Sequence, residues 1–202
     1  MVQRILERLK ANAQTGEAYS KDPFDIERFK EQKILVEELT AFLSKLSLEE
    51  VQMNWPSEQG YATPKIDVRS AVFKDGEILL SKERSDGKWT LPGGWADVGT
   101  SPADNAVKEV KEETGLDVKV IKLIAVFDRD KHDHPRMLTH VYKMYFLCEI
   151  VGGEIVETLE SSESKFFKIN SLPELSTSRV LHEHLELCET HYKNPNLPTA
   201  FD

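Results

Sequence analysis

Only two of the 202 residues are cysteine, Cys148 and Cys188, and they are far apart with no Cys-x-x-Cys pattern. They read as two structural thiols in a reducing, cytoplasmic setting. No long apolar run exists either. The longest, such as Leu123–Phe127, spans about five residues where a membrane span needs about 20. The opening segment MVQRILERLKANAQTG has no apolar core and no small-residue cleavage site, so it does not read as a secretory signal. Basic residues are in deficit, with Lys+Arg 26 against Asp+Glu 35 and a net charge of -9. An acidic chain without a basic run gains little from counterion release, so nucleic acid is not the expected partner. A small phosphorylated substrate, which needs only local basic groups or a bound cation, stays open. Repeats and low-complexity tracts are absent. What remains is an ordinary globular composition, 40% hydrophobic and 30% charged. A chain of this length buries roughly 70% of its unfolded surface and can fold without disulfides or a structural metal.

The pattern divides near residue 60. Ile5, Leu6 and Leu9 recur at helical spacing, and Asp25 to about Ser47 reads as a long amphipathic helix carrying Ile26, Phe29, Ile34, Leu35, Leu39, Phe42 and Leu43. Ser47-Leu-Glu-Glu50 has the form of a capping box opening a third helix. So few helices make a thin core. Residues 1–60 are therefore expected to form a small all-helical domain that packs on residues 61–202 or on its copy in a homodimer. From Lys65 the period becomes extended. Ile66–Phe73 and Glu77–Lys82 flank Lys-Asp-Gly at 74–76, a hairpin signal. A helix is expected over Ser101–Thr114, with Ser at the cap, Pro102 at the first position and Gly115 as an αL stop. Strands are expected at Val118–Phe127, His140–Ile150 and Lys165–Ile169. A closing helix over Arg179–His191 should follow, before a loose or lightly docked tail. This irregular alternation points to an α+β fold with a mixed sheet.

The informative stretch is Gly93–Leu116. On a helix, Ala103, Ala106, Val107 and Val110 make the buried stripe, while Glu109, Glu112 and Glu113 cluster on another face at i, i+3 and i+4. Such like-charge spacing costs about 0.2–0.5 kcal/mol per pair. It also lies near the helix C-terminus, where the macrodipole disfavours anions. A hard divalent cation reverses that balance, because Mg²⁺ is held by a few carboxylates together with substrate phosphates.

This segment resembles the Nudix box: Gly, five residues, Glu, seven residues, Arg-Glu-aliphatic, one residue, Glu-Glu, one residue, Gly-aliphatic. Laid on Gly94, the chain supplies Glu109-Val110-Lys111-Glu112-Glu113-Thr114-Gly115-Leu116 in register. It departs twice, with Thr100 in place of the first Glu and Lys108 in place of Arg. Lysine keeps the charge but loses the planar fork, and Asp97 can partly substitute for the missing carboxylate. The Leu-Pro-Gly-Gly turn, the Gly-Gly-Trp-Ala-Asp-Val-Gly-x-Ser-Pro variant and the N-terminal helices are similar to a bacterial subgroup described as CDP-choline or ADP-ribose pyrophosphatases.

The resemblance implies a Nudix fold, a mixed sheet sandwiched between helices, with a small N-terminal helical domain. It implies hydrolysis of a nucleoside diphosphate linked to another moiety, with Mg²⁺ or Mn²⁺ as cofactor. The expected metal site is Glu109, Glu112 and Glu113 with Gly94. The expected catalytic set is Glu112, Lys108 and a general base that is either a box glutamate or a glutamate on a late loop, Glu160 or, fitting better just before a strand, Glu163. Arg69, Arg84 and Arg129 are candidates for phosphate, and Trp95 and Asp97 for the rest of the substrate. Trp89 reads as core. His132 and His134, in the polar run 128–136, fit zinc poorly at i, i+2 and read as a mobile substrate-facing loop. Two other readings stay open, a nucleotide sensor that does not cleave and a dimeric scaffold whose helices recruit a partner.

Overall fold

The computed structural model describes residues 2–55, 58–158 and 161–202. They form two compact units, one of residues 1–64 with 137–140 and one of residues 65–136 with 141–202.

The first unit contains α1 (Val2–Tyr19), α2 (Pro23–Ser44) and α3 (Leu48–Asn54). Asp22 caps α2 by accepting from the N–H groups of Phe24 and Asp25, with Pro23 at the first position. The expected run to Ser47 stops three residues early, at Lys45 with φ 61°, because Ser47 opens α3 through a complete capping box with Glu50. The apolar centre is thin, built from Leu6, Val36, Val51 and Trp55. Polar groups complete it. Buried Lys10 pairs with Glu37 at 3.2 Å, donates to the Trp55 carbonyl at 2.6 Å and lies over the Trp55 ring. The amphipathic reading of α2 needs correction. Its buried positions are Val36, Glu37 and Thr40, whereas Ile34, Leu35, Leu39, Phe42 and Leu43 are exposed, Phe42 by 81%.

The second unit is built on a seven-stranded sheet. β1 (Lys65–Lys74) and β2 (Glu77–Glu83) are joined by the expected turn, with Asp75 at φ 52° and Gly76 at φ 79°. β1 runs parallel to β5 (Val141–Gly153), which pairs antiparallel with β4 (Leu116–Asp128). β2 also pairs antiparallel with β3 (Trp89–Thr90) and β6 (Ser161–Phe167). Alternation along β1 feeds two cores. Val68 and Val72 face α4 (Pro102–Thr114) with Ala106, Val110 and Phe146. Ala71 and Phe73 face α5 (His182–Lys193) with Tyr145, Leu185 and Cys188. The sheet thus lies between helices, as an α+β Nudix fold requires. Trp89 belongs to the second core, and both cysteines are buried and free.

The starts of two elements differ from expectation. β6 begins at Ser161 rather than near Lys165 because its polar residues have a structural task. Ser161 donates to the Glu113 carbonyl, and Ser164 does so at 3.4 Å, satisfying a last-turn acceptor of α4. α5 begins at His182, since Arg179 is drawn out to Glu83 and Asp86 at 3.0 and 3.3 Å. The tail is docked. Ala200–Phe201 form β7, parallel to β4, while Thr199 donates to the Leu123 carbonyl and Lys122 to that of Pro195.

Candidate active site

The site is assembled where the Leu91–Ala96 turn meets α4. The turn is stitched to β1 by main-chain bonds from Val68 N–H to the Gly94 carbonyl, Ser70 N–H to that of Pro92, and Ala96 N–H to that of Ile66, all 2.8–2.9 Å. Only glycine fits at 93. Its φ is 143°, and a Cβ there would lie 2.0 Å from the Val68 carbonyl oxygen. α4 starts as its sequence dictates, with Ser101 accepting from Asp104 N–H and Pro102 following. It ends on Gly115 at φ 81°. The Ser70 hydroxyl donates to the Ala106 carbonyl at 3.0 Å, fixing the helix against β1.

These constraints bring two of the box carboxylates, Glu113 and Glu109, to the glycine turn. Glu113 is buried and accepts from Gly93 N–H at 2.9 Å. Burial pushes its carboxyl up to about 7, and nearby Glu83 and Glu109 push the same way against the Gly93 hydrogen bond and Arg69. Glu109 is the side chain that faces Gly94, since a Cβ on Gly94 would meet its Oε2 at 3.0 Å. Glu112 is more exposed and pairs with Lys108 at 3.3 Å. Lys108 also holds Asp97 at 2.7 Å, and these two partners, Asp97 first, raise its pKa. The lysine in place of Arg therefore bridges Asp97, from the loop that lacks the expected Glu, to a box glutamate. Thr100 itself is exposed, its N–H on the Asp97 carbonyl at 3.3 Å.

Hard oxygen donors packed with a surplus of negative charge suit a hard divalent cation. Glu109 and Glu113 face the turn, and with Glu112 turned from Lys108 toward them the three could hold one; as they stand, their oxygens do not all lie within reach of one ion. The Gly94 carbonyl already accepts from Val68 and has one lone pair left.

The remaining expected residues are placed less uniformly. Arg69 is buried, with both ends engaged by Asp67 at 3.0 Å and by the Leu91 carbonyl at 3.1 Å. Lys143 shares Asp67. Burial alone would raise the Asp67 carboxyl, but Arg69 and Lys143 hold it below the usual range. Arg129 is also buried, donating to the Pro135 carbonyl at 2.7 Å. Arg84 clamps the segment before β6, reaching Glu157 at 3.0 Å and the Thr158 carbonyl at 2.7 Å. None of these three guanidiniums is brought to the box carboxylates as an open anion ligand, although Arg69 influences Glu113 from behind. Glu163 sits on β6 opposite Lys82, partly exposed and paired with Lys165, whose hydrogen bond lowers its pKa. Glu160 lies outside the described residues. Trp95 is half exposed beside the turn and bridges to Asp67 through the main chain.

Sequence reasoning missed Glu83. It sits at the end of β2 and reaches Glu113 only through the tertiary pairing of β2 with β6, so no local pattern marks it.

Comparison with known proteins agrees with this arrangement. A model of the NUDIX domain matches residues 64–186, and one described as the UDP-X-like, N-terminal oligomerisation domain matches residues 2–54. The chain is 41% identical over 196 residues to a protein of Bacillus subtilis strain 168, provisionally named ADP-ribose pyrophosphatase YjhB, covering 97% of this chain and 94% of that one. Among solved structures, an ADP-ribose pyrophosphatase from Streptococcus suis 89-1591 is 44% identical with a TM-score of 0.64, covering 69% of this chain and all of that one. A structure described as UDP-X diphosphatase is 36% identical with a TM-score of 0.65, covering 98% and 97%. With Glu109 and Glu113 at the glycine turn and residues 64–186 matched by the domain model, the chain belongs to the Nudix family of hydrolases.

Proposed function

We propose that this protein hydrolyses the diphosphate of a nucleoside diphosphate linked to a second moiety, releasing a nucleoside monophosphate and a phosphorylated remainder. ADP-ribose is the first substrate to test, since relatives at 41% and 44% identity carry that name. UDP-linked compounds come next, from the structure matched at 36%, and then CDP-choline. The observation that carries the reading is that Glu113 accepts from Gly93 N–H and Glu109 faces Gly94, with Glu112 on the same helix held by Lys108.

Glu109, Glu112 and Glu113, with the Gly94 carbonyl, would hold Mg²⁺ or Mn²⁺, which would supply charge neutralisation of the diphosphate and a more acidic attacking water. Glu112 is the carboxylate aimed by Lys108, whose second partner Asp97 keeps the ammonium in place. Glu163, held ionised by Lys165, accepts the proton released by the attacking water. Trp95 offers a half-exposed ring for stacking on a base. Arg69 supports the glycine turn from a buried position through the Leu91 carbonyl, Arg129 holds the Pro135 carbonyl, and Arg84 fixes the approach to β6.

The first unit is an oligomerisation module, and the assembly is a homodimer formed through the exposed apolar face of α2. Residues 1–60 and 61–202 are accordingly a dimerisation domain and a hydrolase domain.

A substrate panel with Mg²⁺ and with Mn²⁺, read by product identification, tests the reading. Release of AMP and ribose 5-phosphate from ADP-ribose, abolished in Glu112→Gln, is expected. Tight nucleotide binding with no turnover of any compound would favour a sensor instead.

A further inference from the structure

The polar run after β4 and the first turn of α5 meet on the α5 side of the sheet, although 51 residues separate them. There, His132 Nδ1 lies 3.0 Å from Glu183 Oε1 and 3.4 Å from His184 Nε2, and the last two atoms are 3.6 Å apart. Among the described residues, these three side chains form the one group able to converge on an ion in this way. A tetrahedral ion with donors at about 2.0–2.1 Å has edges of about 3.3–3.4 Å. The three separations bracket that value.

The surroundings are arranged as around a metal ligand. A ligating imidazole needs its other nitrogen to donate, to a carboxylate or another oxygen, which fixes tautomer and ring orientation. His132 Nε2 faces Asp202 Oδ1 at 3.1 Å; His184 Nδ1 faces the Tyr145 hydroxyl at 2.9 Å and accepts from Leu181 N–H at 3.4 Å, a contact that must give way when Nδ1 donates to Tyr145. Phe127 packs against both rings, at centroid distances of 4.5 and 5.7 Å, walling off one side. The Glu183 side chain is 59% exposed and leaves a path from solvent. A third imidazole, His134, is 5.3 Å ring to ring from His184. Its Nδ1 is committed to the Thr177 carbonyl, and its buried Nε2 has no hydrogen-bond partner.

We propose that His132, Glu183 and His184 bind one zinc-class transition-metal ion, with water in the fourth position and Asp202 and Tyr145 orienting the two imidazoles. Two nitrogen donors and one carboxylate favour Zn²⁺ over Mg²⁺, which takes oxygen ligands. The ion ties the turn after β4 to the start of α5. Through Asp202, which also accepts from Asp128 N–H, it ties both to β7. The sequence hides the site because the His-x-His pair alone has the wrong spacing, and its carboxylate and second imidazole come from α5. The site does not depend on the box carboxylates, so its test is independent of the proposed hydrolase reaction.

The test uses the full chain, freed of metal by chelation, with millimolar Mg²⁺ present to occupy hard-cation sites. One equivalent of Co²⁺ should give the intense visible absorption of a tetrahedral site and be displaced by one equivalent of Zn²⁺. His132→Asn should abolish the band, and Asp202→Asn should weaken binding by about 10–100-fold. Glu112→Gln should leave it unchanged. Should buried His184 variants not fold, the partly exposed His132 and Glu183 variants suffice. No band, a weak octahedral spectrum, or a band untouched by both His132→Asn and Glu183→Gln would overturn the proposal and leave the cluster a hydrogen-bond network.

Discussion

The Glu113 carboxylate accepts the Gly93 N–H at 2.9 Å inside the protein, so the helix of the box and the glycine turn are held by a group whose proton is under tension. Burial raises this carboxyl from 4.5 to about 7, so the folded state binds the proton more tightly than the unfolded chain. Its contribution to stability is fully present below about pH 4.5 and is lost as pH rises through about 7. The loss is on the order of 3 kcal/mol at about 1.36 kcal/mol per unit. Thermal melts of metal-free protein should therefore show a decline over that window which Glu113→Gln lacks. Saturating Mg²⁺ should reverse the slope, because the ion binds only the ionised side chain. Parallel pH profiles for the wild type and Glu113→Gln would contradict this.

Lys108 stands between Asp97 and Glu112, so its removal should loosen the ligand proposed at Glu112 without touching Glu109 or Glu113. Losses for groups that orient ligands are about 10–100-fold. Lys108→Ala should raise the Mg²⁺ concentration for half-maximal activity by that factor, while kcat at saturating Mg²⁺ falls much less. Lys108→Arg, which restores the box residue and can grip both carboxylates, should keep the wild-type requirement or lower it. Magnesium titrations of the three proteins decide the matter, and an unchanged requirement in Lys108→Ala would remove the residue from the site.

Much of the second unit was legible because its signals are local. Ser101, Pro102 and Gly115 delimit α4 to the residue, the Asp75-Gly76 turn sets the first hairpin, and the glutamate spacing within one helix puts the box on one face. What escaped depends on distant chain segments. The hydroxyl-rich start of β6 looks like a loop until the Glu113 carbonyl it serves is known. Arg84 looks like a phosphate ligand until Glu157 and Thr158, more than 70 residues away, take it. The α2 pattern misled for a different reason. Its apolar positions were seen, but the unit's own core selects Val36 with Glu37 and Thr40 and leaves the others outside.

Gly93 offers a test of the turn itself. At φ 143°, with the Val68 oxygen 2.0 Å from where a Cβ would stand, alanine cannot be accommodated without moving the strand. Displacing Gly93 also removes the N–H that Glu113 accepts. Gly93→Ala should destabilise the protein by about 2 kcal/mol or more and lower activity further than stability alone explains. Gly99→Ala is the control. It has positive φ but no neighbour within 4 Å, so it should cost about 1 kcal/mol and spare activity. Urea melts together with kcat/KM for both variants separate the two effects.

The exposed face of α2 yields the last prediction. Leu35, Leu39, Phe42 and Leu43 lie at helical spacing on one side and are each at least 46% exposed, in a unit whose own core is four side chains deep. Apolar surface of that continuity on a small helical unit is the kind that a second copy covers. Sedimentation velocity should give twice the 23.1 kDa chain mass for the wild type. A single charge at the centre, Phe42→Glu or Leu39→Glu, must be desolvated in any interface there and should shift the protein to monomer at micromolar concentration. Because α2 carries none of the box carboxylates, a folded monomeric variant also shows whether catalysis needs the pair. Retained turnover would make the module a stabiliser, and lost turnover with an unchanged far-ultraviolet spectrum would show that the active site is complete only in the assembly. A wild type that sediments as monomer across that concentration range would sink the dimer outright.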